Sequence, residues 1–164
     1  MAHPRWLSPW KNDPKAIIRY HVINRVVDRH QVFGPREREV FCSIMRRYET
    51  FSGCRVLTYC ILSNHFHLLL EVPPMPAEGL DDEEIYRRMS AIYSKAKVKA
   101  LRSDVEACRQ RGCHEAADKL LAGYTYRMHD LSEFMKGFTQ RFSIWYNRTY
   151  ERTGHLWEER FKSL

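Results

Sequence analysis

Residues 54–73 constrain this chain more than any other stretch. CRVLTYCILS (54–63) and HFHLLLEVP (65–73) are apolar runs of strand length separated only by the turn-prone Ser63 and Asn64, so they read as two strands paired in a hairpin. Alternation along the second run puts His65, His67, Leu69 and Glu71 on one face and Phe66, Leu68, Leu70 and Val72 on the other. The apolar face has to be buried. The two imidazoles then stand side by side on the opposite face, roughly 6–7 Å apart along the strand.

The flanking pattern supplies partners for that hairpin. Residues 17–27 (IIRYHVINRVV) are rich in β-branched and aromatic residues and predict a first strand, followed by a turn at 28–34. Pro35 stands at a favourable first helical position, and Phe41, Ile44, Met45, Tyr48 and Phe51 keep a helical period up to Gly53, a natural stop. The opening residues 1–15, with three prolines, read as an extended arm in which Trp6 and Trp10 are candidate core anchors.

Beyond Pro73, Pro74 and Pro76, residues 80–110 have the composition of one long charged helix whose core contacts are Ile85, Met89, Ile92 and Val98. Residues 111–122 read as a further helical piece broken by Gly112, and 123–128 as a linker. Asp130 and Glu133 then form a capping box for a helix in which Leu131, Phe134, Met135, Phe138, Phe142 and Trp145 share one face. Its other side carries Lys136, Gln140, Arg141, Asn147 and Arg148.

At 164 residues, with 44% hydrophobic and 29% charged residues, the expectation is one globular domain, residues 1–164, in which 77–128 forms a helical insertion. A net charge of +7 favours a polyanionic partner, since phosphates reward a basic surface by releasing counterions. The five cysteines form an odd set, consistent with reduced thiols and a cytoplasmic location. Cys108, Cys113 and His114 lack zinc-finger spacing. No apolar run approaches the length that a membrane span requires.

Two imidazoles on one strand face can converge on a divalent cation, whose other positions go to water, phosphate oxygen or a third ligand. The bland alternative is a pair of half-buried histidines bonded to neighbours. Here the surroundings matter: LSNHFHLLLEVP resembles the HUH signature of the single-tyrosine transposases of insertion sequences and their REP-associated relatives. YHVINRV (20–26) looks like that family's opening strand, and SEFMKGFTQRFSIWYNRTYERTGHLWEERFKS (132–163) is similar to its helix and following basic segment. Residues 77–128 have no place in the common pattern.

The resemblance implies an α+β, ferredoxin-like antiparallel sheet with helices on one face. It also implies a metal-dependent DNA transposase that nicks and rejoins single-stranded DNA at hairpin ends through a 5′-phosphotyrosine. His65 and His67 would be ligands of Mg2+ or Mn2+, and some relatives are homodimers. Candidate DNA-binding residues are Asn24, Arg25, Asn64, Arg141, Asn147, Arg148 and Arg160. Glu71 shares the histidine face but sits too far along the strand to join them.

In such enzymes an amide residue follows the nucleophilic tyrosine by four positions on a later helix. The one match here, Tyr20 with Asn24, falls within a strand. The nucleophile is therefore expected beyond Leu164, in a chain truncated at its C-terminus, with Tyr146 as the fallback whose better-suited role, beside Trp145, is packing and base stacking. The alternative expectation is a non-catalytic protein that binds single-stranded DNA hairpins.

Overall fold

A computed structural model describes residues 6–164. Four strands, β1 (Ile18–Arg25), β2 (Arg55–Ile61), β3 (His65–Val72) and β4 (Lys162–Ser163), form one antiparallel sheet in the order β2-β3-β1-β4. Helix α1 (Pro35–Ser52) connects β1 to β2, and α5 (Leu131–Thr149) lies between β3 and β4. This order and connectivity are those of the ferredoxin-like fold, as the resemblance implied. Between β3 and α5 come α2 (Asp82–Met89), α3 (Lys95–Gln110) and α4 (His114–Thr125).

Helix α1 starts with Pro35 at its first turn and ends at Gly53, whose φ of 75° is the left-handed geometry that closes a helix without a Cβ penalty. Arg88 and His129 press on the same glycine, so a side chain there would be both strained and crowded. Helix α5 opens with the Asp130 carboxylate accepting from the Glu133 N–H at 2.8 Å. Gly137 in its middle lets the Tyr48 ring of α1 lie directly against the α5 backbone.

These two helices cover one face of the sheet. Phe66 of β3 meets Phe41 of α1 at 4.8 Å between ring centroids and Phe138 of α5 at 5.9 Å, while Phe33, Phe142 and Trp157 complete the aromatic cluster. Phe66, Leu68 and Leu70 are wholly buried, as are Val22 and Phe138. Full burial of such side chains contributes roughly 1.5–3 kcal/mol each, which makes this layer the dominant source of stability.

Three expectations need correction. The long helix over 80–110 is two helices: α2 stops at Met89, and Ser94 starts α3 by accepting from the Lys97 N–H. Ser90 turns its hydroxyl back onto the Tyr86 carbonyl, so both serines compete with the helical ladder at the break. The bend between them leaves Met89, Ile92 and Val98 all buried. Second, α4 runs through Gly123 to Thr125 in place of a linker, carrying Tyr124 against Tyr93. Third, Trp10 is 65% exposed, so it is not a core anchor. Trp6 is half exposed with its edge on Tyr20, and the first five residues of the expected arm lie outside the described residues.

Candidate metal and nucleic-acid site on the open sheet face

Among the described residues no helix lies on the face of the sheet away from α1 and α5, and the composition of that face follows from strand alternation plus register. Arg25 pairs with His65, Ile23 with His67, His21 with Leu69, and Arg19 with Glu71. On the outer strands Cys60 lies beside His67, Arg55 beside Glu71, and Lys162 beside Ile23. The result is a surface with three histidines near its centre and basic side chains around them.

At one end, Glu71 is buried between two arginines, with Arg19 Nη2 at 2.9 Å and Arg55 Nη1 at 3.1 Å. Its side chain is 8% exposed and both oxygens are engaged, so this carboxylate is already committed to the arginines. Leu69 separates it from the histidines.

The histidines are held individually. Asn64 Nδ2 donates to the Arg29 carbonyl at 3.2 Å, which orients the amide so that its oxygen faces His65 Nδ1 at 2.7 Å. That oxygen can only accept, so His65 carries its proton on Nδ1. His67 Nδ1 lies 3.0 Å from Nε2 of His21, a residue on the neighbouring strand that sequence reasoning did not single out. The His65 and His67 rings lie 5.3 Å apart. Neither His65 Nε2 nor His67 Nε2 has a hydrogen-bond partner among the described residues.

Burial, and after it the neighbouring His21, His65 and Arg25, lower the His67 pKa below the usual imidazole value. The ring therefore stays neutral at neutral pH and keeps a lone pair to offer. Among the described residues no group of three or more His, Cys, Asp or Glu side chains is arranged to hold a metal ion. The donor set fits a cation only in part: two imidazole nitrogens are free, and the remaining positions would need oxygen from outside this face.

The other candidate residues divide into separate places. Arg25 is exposed beside His65, and Asn64 is spent on orienting that ring. Asn24 is buried on the helix-covered side, where it accepts from the Arg25 N–H and lines, with Arg160, Lys136, Gln140 and Trp157, a groove of about 640 Å³ between α5 and the C-terminal segment. Arg141 and Arg148 are exposed on α5, away from the histidines in the helix layer. Asn147 donates to the Gly154 carbonyl and pins the loop after α5.

Tyr146 is not brought to the histidines either. It belongs to the helix layer, against Phe142, Tyr150 and the Arg152 guanidinium, with the sheet between it and the open face. Among the described residues the open face holds no tyrosine, since Tyr20 and Tyr59 alternate to the other side. His21 was missed because its role depends on which strand lies next to it. The one available signal was its period-2 alignment with Arg19, Ile23 and Arg25.

Fold and site together define an α+β protein with a ferredoxin-like sheet, one face sealed by helices and the other displaying a paired-histidine ribbon among basic groups. Residues 15–78, the span that contains β1 to β3 and the three histidines of the open face, match the family model for the IS200-like transposases. Residues 132–163 lie outside the matched span. The transposases for insertion sequence element IS200 of Salmonella typhimurium (strain LT2) and Salmonella typhi are each 30% identical over 74 residues, covering 45% of this chain and 42% of theirs. The chain thus spans less than half the length of the curated relatives it matches. A crystal structure of a provisionally assigned transposase from Deinococcus radiodurans R1 is 22% identical, covering 56% of this chain and 69% of that one at a TM-score of 0.35. No helix among the described residues is long and apolar enough to cross a membrane.

Proposed function

We propose that this chain is the cation-binding and DNA-binding part of an HUH-type transposase that nicks and rejoins single-stranded DNA. The observation that carries the reading is the pair of free Nε2 atoms on His65 and His67, side by side on an exposed basic face in a segment that matches the IS200-like transposases. A Mg2+ or Mn2+ ion bound there would neutralise a non-bridging phosphate oxygen and favour in-line attack on phosphorus.

The chain's own groups have distinct tasks in this reading. His65 and His67 present neutral nitrogens. Arg25 and Lys162 flank them and attract the sugar-phosphate backbone, a contribution that weakens as salt rises. In the groove beside α5 Arg160 and Lys136 are balanced by Glu159 and Glu133, so any contribution there comes from Trp157, which gives an aromatic surface for an unpaired base. The reading needs a tyrosine nucleophile that reaches the histidine face from elsewhere than the strands that build it, in the same chain or in a second copy in a homodimer.

One observation favours the non-catalytic alternative, a protein that binds DNA hairpins without cutting them: no tyrosine among the described residues stands on the histidine face. A single experiment separates the two. The complete gene product is mixed with a hairpin-tipped single-stranded oligonucleotide and Mn2+, and a denaturing gel is examined for protein-linked DNA. The transposase reading expects an adduct that disappears in His65→Ala protein and on chelation. Tight hairpin binding without an adduct supports the alternative, and free cutting of duplex DNA without an adduct would sink both.

A further inference from the structure

The contact between His21 and His67 has a geometry that distinguishes two possible jobs. The facing nitrogens are 3.0 Å apart, and the ring centroids 5.2 Å apart with planes only 18° from parallel. The small difference between these lengths is taken up by the two ring radii, so both nitrogens lie close to the line joining the ring centres. An imidazole lone pair points outward along that same line. The two nitrogens therefore point at each other, as in a hydrogen bond, and not toward a common third point as two ligands of one cation would. His21 is thus not a third ligand.

In a hydrogen bond between neutral imidazoles one ring donates, and the choice sets what the far nitrogen of His67 can do. If His67 donates from Nδ1, its Nε2 carries a lone pair. If it accepts, its Nε2 carries a hydrogen and can ligate nothing. We propose that His21 is a positioning residue that accepts from His67 Nδ1–H and so holds His67 in the tautomer whose Nε2 faces the cation. This inference rests on the proposed cation reading.

The proposal gives the two histidines matching supports on opposite sides. Asn64, itself oriented by the Arg29 carbonyl, fixes the Nδ1–H of His65. His21, from the adjacent strand, does the same for His67. The remaining nitrogen of His21, Nδ1, then carries its hydrogen without any competing acceptor among the described residues. Partners of this kind typically set metal affinity within about 10–100-fold, because an unsupported ring must find both its tautomer and its orientation at the moment of binding.

The test uses the full chain with nitrogen-15 histidine, comparing wild type with His21→Ala and His21→Gln, the latter keeping an acceptor oxygen. Long-range nitrogen–proton NMR reads the tautomer of each ring, and loss of the free Mn2+ resonance signal reads binding. The expected result is His67 protonated at Nδ1 in wild type and shifted toward Nε2–H in His21→Ala, with the His65 tautomer unmoved. Mn2+ affinity should fall about 10–100-fold in His21→Ala and recover in His21→Gln. A His67 ring protonated at Nε2 in wild type overturns the proposal, as does a His21→Ala protein whose His67 tautomer and Mn2+ affinity are both unchanged. If wild type and His65→Ala bind Mn2+ equally weakly while the His67 tautomer still depends on His21, the cation reading fails and the positioning contact stands.

Discussion

The two faces of the β1–β3 pair are built from alternate residues of the same two strands, yet they are held by opposite physics. On the covered face Phe66, Leu68 and Val22 are wholly buried, and their value lies in area removed from water and in close packing. On the open face His21, His65 and His67 remain half exposed, and each is kept in place by directional hydrogen bonds that contribute little to folding. The comparison teaches that one strand can supply stability and chemistry at once because adjacent residues never share an environment.

The strongest way to break the contrast is to hollow out the covered face. Phe66→Ala removes the ring at the centre of the aromatic cluster and should cost about 3–5 kcal/mol in a denaturant titration, well beyond any substitution on the open face. Glu71→Ala comes next and probes the exception, a buried group on the open side. The two arginines that clamp it are 61% and 70% exposed, so water screens them and the expected loss is only about 1–2 kcal/mol.

His129 sharpens the comparison from within the covered region. It donates from Nδ1 to the Pro73 carbonyl and accepts at Nε2 from Arg88, both at 3.0 Å. Burial first, and Arg88 after it, hold its pKa below the ordinary value. The unfolded chain takes up that proton near pH 6.5, at about the usual histidine pKa, and the folded chain only at lower pH. Stability from this group should be complete above about pH 6.5 and decline as the pH falls toward the folded value. The decline should be shallower in His129→Gln, measured by thermal unfolding across pH 5–8 at about half-unit steps. The smallest effect is expected of His67→Ala: within about 0.5 kcal/mol of wild type in stability, while Mn2+ binding disappears. A loss of several kcal/mol there would mean that the open face is structural.

Much of this arrangement was legible in the residues themselves, and the parts that were not share a cause. The hairpin, α1 and α5 carry long periodic runs with clear ends at Pro35, Gly53 and Asp130, so local pattern and final structure agree. The break at residues 90–94 was missed because helical composition continues across it, and only the packing of Met89, Ile92 and Val98 rewards the bend. Strand β4 consists of Lys162 and Ser163, which have no strand character of their own and pair because β1 leaves an edge for them. At the candidate site the two histidines of β3 could be read directly, whereas Asn24 and Tyr146 stand on the other side of the sheet from them.

Alternation of apolar and polar residues, a property of the chain alone, determined that His65 and His67 share a face and that Phe66 and Leu68 oppose them. Only the tertiary structure decided that His21 meets His67, that Arg19 and Arg55 close on Glu71, and that a groove opens between α5 and the C-terminal segment. The physical reason is that a period of two specifies which way a side chain points but carries no record of which strand will lie next to it. That choice follows from the register and order in which the whole sheet buries its aromatic face.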